Sequence, residues 1–198
     1  MQTALGFRVK SGRASAVQLA GSSESPRLVS SQIIALCDDQ VPESRQPYHA
    51  VMKVSPSESA QVEMQLREIV HSAARRSIDE LLRSIRDSKG DLVGAALVVG
   101  SNSDPSRIAN PHIRAHALEG RLFRLAIEEP LRSNGIRYAI LIEREAYRQA
   151  GEMLNLEEAT LKSALIQLGR SHQGPWRADE KLAALAAWVA IGSQPVGS

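Results

Sequence analysis

Only one cysteine, Cys37, occurs in 198 residues. No intramolecular disulfide can close on it, and no Cys-x-x-Cys pair offers a zinc site. The aromatic residues number seven, too few for a platform on which successive bases stack. The longest nearly apolar run, Leu182 to Ile191, falls well short of the roughly 20 residues that a bilayer span needs. No basic n-region leads into an apolar h-region at the start, which argues against a secretory signal. A cytoplasmic, soluble protein with no membrane partner is therefore expected. An excess of one charge is missing as well. Residues 1–100 hold 12 Lys+Arg against 11 Asp+Glu, and residues 101–198 hold the same numbers. There is no polybasic tail and no acidic block, so a domain that lives by wrapping nucleic acid is not the first expectation.

What is present suits a globular domain. Hydrophobic residues make up 43% of the chain, and a chain of this size buries roughly 70% of its unfolded surface without a disulfide or metal staple. A single domain over residues 1–191 is expected, with residues 192–198 as a frayed tail.

The first forty residues read as strands. Thr3 to Lys10 and Ala14 to Ala20 flank the turn signal Ser11-Gly12, which predicts a hairpin. The turn cluster Gly21 to Pro26 precedes a third strand over Arg27 to Cys37, rich in β-branched residues. Asp38 to Pro56 is polar and carries three prolines. It reads as a surface connection, with a short extended piece at Tyr48 to Val54 that could form an edge strand. Ser55-Pro56-Ser57-Glu58 then has the capping-box arrangement, and apolar residues recur at helical spacing from Val62 to Ile85. Leu92 to Val99 is a continuous apolar run, as in a strand covered on both faces. Asn110-Pro111 opens a second helix toward Ser133, with Pro130 placed to kink it or end it early. Ile136 to Ile142 is another buried strand. Two further helices are expected, Leu156 to Leu168 with Asn155 as its cap and Ala178 to Ile191. The order β-β-β-α-β-α-β-α predicts an α/β domain: a three-strand antiparallel meander extended by two parallel strands, with helices on both faces.

That order resembles the ribonuclease-H-like fold of RuvC-type Holliday-junction resolvases, YqgF-type proteins and, in elaborated form, the actin-like ATPases. Leu5-Gly6-Phe7-Arg8-Val9-Lys10-Ser11-Gly12 is similar to the apolar-Gly-apolar-Asp-Pro-Gly opening of RuvC-like chains. Ala178-Asp179-Glu180 and the Ala/Leu run after it are similar to their closing helix. The resemblance implies a two-metal nuclease site, with acids from the first strand, the end of the fourth and the last helix. This sequence departs from that pattern. Arg8 stands at the first acidic position, Gly100-Ser101-Asn102 at the second, and Asp179 or Glu180 alone remains in the last helix.

The densest chemistry lies in NPHIRAHALEGRLF. His112, His116 and Glu119 recur at i, i+4 and i+7, on one helix face. Two imidazoles and a carboxylate could ligate a divalent Zn²⁺, Mn²⁺ or Fe²⁺, or His116 and Glu119 could act as a catalytic acid/base pair. A cap at His112 and a structural His116–Glu119 ion pair explain the same residues. Ser101, Asn102 and Asp104 follow the carboxyl end of a central strand, where open α/β sheets bind ligands, although such residues also make ordinary turns. Arg8, Lys10 and Arg13 could reach the same edge. Glu143 and Glu145 end the fifth strand as acids or as dipole partners.

The leading expectation is a ribonuclease-H-like domain without the usual acidic cluster that binds an anionic partner, nucleic acid or nucleotide. Arg8, Lys10, Ser101, Asn102 and Asp104 would form its ligand cleft, beside a hollow shared with Glu119. The alternatives are an enzyme that uses His116 and Glu119, with or without a metal, or an interaction protein that forms a homo-oligomer through its long first helix.

Overall fold

A computed structural model describes residues 1–192 of the chain. Residues 193–198, most of the expected tail, lie outside the described residues. Five strands form one sheet: β1 (Gln2–Lys10), β2 (Arg13–Gly21), β3 (Pro26–Ala35), β4 (Asp91–Val99) and β5 (Tyr138–Ile142), in the order β3-β2-β1-β4-β5. β1 pairs antiparallel with β2 and β2 with β3, whereas β4 runs parallel to both β1 and β5. Gly12 takes φ of +77° in the tight β1–β2 turn, a conformation that glycine adopts without steric cost.

Six α-helices are described: α1 (Pro47–Val51), α2 (Pro56–Asp87), α3 (Pro111–Ser133), α4 (Ala146–Leu154), α5 (Glu158–Leu168) and α6 (Ala178–Gly192). α2 begins as its sequence predicts, with the Glu58 carboxylate accepting from both the hydroxyl and the backbone N–H of Ser55. α2 and α3 cover one face of the sheet. Leu5, Phe7 and Val9 of β1 pack there against Val70, Ile78 and Leu82 of α2 and Phe123 and Ile127 of α3. α6 covers the other face and is itself roofed by α4 and α5, so all ten residues from Leu182 to Ile191 are buried. A helix enclosed on every side needs no amphipathic stripe, which is why its sequence is apolar throughout.

The α6 face has no clearance. An added Cβ at Gly6 would stand 1.9 Å from the carbonyl oxygen of Ala183 and 2.3 Å from the amide nitrogen of Ala187. Glycine in β1 and alanines in α6 let the two backbones meet directly. Trp188 closes this layer by donating its indole N–H to the carbonyl of Ser23, at 2.8 Å. Trp176 donates instead to Leu165 of α5, at 2.7 Å, and so ties the approach to α6 to a helix rather than to the sheet.

Four expectations need correction. The segment from Asp38 to Pro56 holds no edge strand; a 3₁₀ turn (Pro42–Arg45) and α1 occupy it, each with proline in its first turn, where the missing N–H costs nothing. α3 continues through Pro130 to Ser133, because the apolar side chains of Ile127 and Leu131 are fully buried on either side of it. α4 has no counterpart in the sequence reading; it is short, and its Gly151 lies close beneath the carbonyl of Leu156. Asn155 is the left-handed C-cap of α4, with φ of +53°, and Glu157 takes the N-cap of α5.

Candidate functional site

A cleft of about 1050 Å³ opens at the carboxyl ends of β1 and β4, against α3. Arg8, Lys10, Ser101, Asn102, Asp104 and His116 all line it. The parallel pairing of β1 with β4 sets Arg8 opposite Val98, which brings the first hairpin beside the loop after β4. Along β1, Ala4, Gly6, Arg8 and Lys10 share the α6 side of the ribbon. Arg8 is buried and its guanidinium lies 2.6 Å from the Glu143 carboxylate at the end of β5. Lys10 is 2.7 Å from Asp179, in the first turn of α6. Glu180 is also buried and accepts from the backbone N–H of Arg177 and the hydroxyl of Ser15.

The loop after β4 is ordered by its own side chains. The Ser101 hydroxyl accepts from the Ser103 amide, and Asp104 caps the 3₁₀ turn Pro105–Arg107 by accepting from the Ser106 amide. That amide bond holds the Asp104 carboxyl below the usual carboxylate range. Asn102 accepts from Arg124 of α3, whose Nε lies 3.0 Å from Glu128. The cleft lining carries six cationic side chains (Arg8, Lys10, Arg13, Arg45, Arg121 and Arg124) and one carboxylate, Asp104. Arg13 and Arg121 have no ion pair among the described residues.

A second group of side chains stands at the margin of this cleft. α3 carries His112 and His116 on one face, as its spacing predicts, and α1 brings His49 against them. The ligand-capable nitrogens of the three rings lie within 4.8 Å of one another. His49 Nε2 is 3.1 Å from His112 Nδ1, and His116 Nε2 is 3.2 Å from His112 Nε2. Glu119 is fully buried and does not line the cleft. Its Oε1 lies 2.7 Å from His49 Nδ1 and also accepts from the His49 backbone N–H at 3.3 Å. Its Oε2 has no hydrogen bond and lies 3.7 Å from His116 Nδ1. The expected hollow shared by Arg8 and Glu119 is therefore two adjacent places, bridged by His116.

No protein-family model and no curated protein sequence matches this chain. Solved structures do. Thermus thermophilus RuvC, in complex with a Holliday junction substrate, matches at a TM-score of 0.50 and 10% identity, over 96% of this chain and 92% of that one. A second Thermus thermophilus RuvC structure gives a TM-score of 0.51 at 9% identity, over 95% of this chain and 92% of the other. The yeast mitochondrial Holliday junction resolvase Ydc2 gives 0.44 at 11% identity, over 96% and 77%. The fold is ribonuclease-H-like.

Within this ribonuclease-H-like domain, sequence reasoning missed His49, Arg121 and Arg124. Arg124 had a signal: His116, Gly120 and Arg124 recur four apart, and all three line the cleft. A Cβ at Gly120 would meet nothing within 4 Å, so the middle of that row is open space. His49 had none. It is 63 residues from its nearest histidine partner in the sequence and sits on a helix of five residues, too short for any periodicity.

Proposed function

We propose that this ribonuclease-H-like domain binds a phosphate-bearing anion, nucleic acid or nucleotide, in the cleft at the ends of β1 and β4, and that it does so without two-metal nuclease chemistry. The observation that carries the reading is the charge of the lining, six cations against one carboxylate. Arg13 and Arg121 supply the cationic groups not already engaged by an acid, and beside them Ser103, which accepts from the Ser101 hydroxyl, can turn its own hydroxyl to a ligand. Crevices outside the carboxyl ends of parallel strands are where open α/β sheets hold their ligands.

The same residues argue against a pair of Mg²⁺ ions. Such ions require converging carboxylates. Arg8 stands at the first-strand position that resolvases fill with aspartate, and it engages Glu143; Lys10 engages Asp179. Two acids near the edge, Glu143 and Asp179, are thus each matched by a cation from β1, an arrangement that disfavours a further positive charge there. The Thermus thermophilus RuvC structure with its Holliday junction substrate makes branched DNA a natural first probe.

The test is fluorescence anisotropy with labelled four-way junction, duplex and single-stranded DNA, single-stranded RNA, and competing ATP. Nucleic-acid binding should weaken linearly in log affinity with log salt, and Arg13→Ala and Arg121→Ala should each lower the slope by about one. Gly120→Leu should block binding by filling the cleft. Displacement of the probe by ATP at low concentration would identify a nucleotide site rather than a polymer track. Absence of salt-dependent binding to every probe, or variants that bind as the parent does, would overturn the reading. Cleavage of any probe in Mg²⁺ that Arg8→Ala does not alter would overturn its second half.

A further inference from the structure

We infer that His49, His112 and His116 form a binding site for one Zn²⁺-class transition-metal ion, held in position by Glu119. This inference is independent of the anion-binding cleft. Three imidazoles from two helices, with no carboxylate among the ligands, suit Zn²⁺ and its neighbours in the first transition row rather than Mg²⁺ or Ca²⁺, which take oxygen ligands.

The geometry supports this assignment at two levels. With Zn–N bonds of about 2.0–2.1 Å in tetrahedral arrangement, neighbouring ligand nitrogens stand about 3.3 Å apart. His112 meets His49 Nε2 through Nδ1 at 3.1 Å and His116 Nε2 through Nε2 at 3.2 Å, so whichever nitrogen it offers stands at that spacing from one partner, and the three ligand-capable nitrogens lie within 4.8 Å of one another. His112 is exposed and meets one partner with each ring nitrogen, so its ring must turn for a single nitrogen to face an ion shared with both. His49 and His116 both turn Nε2 toward the cluster and Nδ1 toward Glu119.

Glu119 is the second level. A ligating histidine commonly donates its other ring N–H to a carboxylate, which fixes the tautomer and orients the ring. Here one carboxylate faces two rings. Oε1 takes the Nδ1–H of His49, leaving the Nε2 lone pair free for a metal. Oε2 is buried without a hydrogen bond and faces Nδ1 of His116 at 3.7 Å, beyond hydrogen-bond range. An ion that draws on His116 Nε2 commits Nδ1 to carrying the proton, and a small closure of the ring then satisfies Oε2. It also gives the buried carboxylate a compensating positive charge, which a carboxylate in a protein interior needs. Glu119 is thus a positioning residue, not a ligand. Three protein ligands leave a coordination position for water or an anion, and His116 puts that position at the margin of the cleft.

The experiment is calorimetric titration of the metal-stripped full-length chain with ZnCl₂, with CoCl₂ as a spectroscopic probe and MgCl₂ as the control. One Zn²⁺ per chain is expected, with visible Co²⁺ bands of low coordination number and no response to Mg²⁺. His112→Ala and His116→Ala, both exposed positions that circular dichroism should find folded, should weaken Zn²⁺ at least 100-fold. Glu119→Gln should weaken it 10–100-fold. Long-range ¹⁵N–¹H spectra should find His49 and His116 in the Nδ1–H tautomer in the parent and mixed in Glu119→Gln. No saturable Zn²⁺ binding, or equal binding by the two alanine variants, would overturn the site. Unchanged affinity and tautomers in Glu119→Gln would overturn the part assigned to the carboxylate.

Discussion

The two faces of the sheet solve different problems. On the α6 side, glycine, alanine and leucine bring backbone against backbone, and the charged groups stand at the rim, where Arg8 pairs with Glu143, Lys10 with Asp179, and Glu180 accepts from Ser15 and the Arg177 N–H. On the other side, α3 packs Phe123 and Ile127 onto the sheet in its middle and carries three imidazole-linked groups toward its N-terminus. The first face is fixed by absence of space and the second is organised by a buried carboxylate. The difference teaches where this chain can change: atoms cannot be added to one face, while on the other whole rings can be removed.

The sharpest way to break this contrast is Gly6→Ala. Its Cβ would meet two backbone atoms, neither of which is the free end of a side chain, so a loss of about 3 kcal/mol or more is expected in urea unfolding. A loss under about 1 kcal/mol would mean that α6 moves away easily and that the contact is not limiting. Glu119→Ala comes next. It leaves the ring and backbone N–H groups of His49 without their acceptor, and about 2 kcal/mol should be lost by the metal-free protein in the same measurement. The smallest effect belongs to His112→Ala in the metal-free state, which should remain within about 0.5 kcal/mol of the parent because the side chain is exposed. A larger loss there would assign the imidazole cluster to stability rather than to a ligand.

Much of the fold is legible along the chain because local chemistry and architecture agree. Ser11-Gly12 and the Gly21–Pro26 cluster sit at the turns of the meander, Ser55 to Glu58 opens α2, and Leu92–Val99 lies in an interior strand of the sheet. The departures have local causes. α1 and α4 are five and nine residues long, so neither completes enough turns to display a hydrophobic period, and Asn155 serves as a helix end although the same residue type also starts helices. The site divides along similar lines. His112, His116 and Glu119 share one helix, so their spacing alone aligns them. His49 joins them only when the α1 segment folds back over α3, and Glu143 reaches Arg8 only across the sheet. Neither encounter leaves a mark in spacing or composition.

Gly6 also acts as a datum for the charged rim. Arg8 lies two residues beyond it and Lys10 two beyond that, on the same side of the ribbon, while Asp179 and Glu180 stand one turn before the alanine that the glycine touches. The depth to which α6 beds into β1 therefore levels Asp179 against Lys10 and Glu180 against Ser15. Thickening the strand at that single point would tilt the helix like a shimmed beam and uncouple Lys10 from Asp179, with every charge still in the chain.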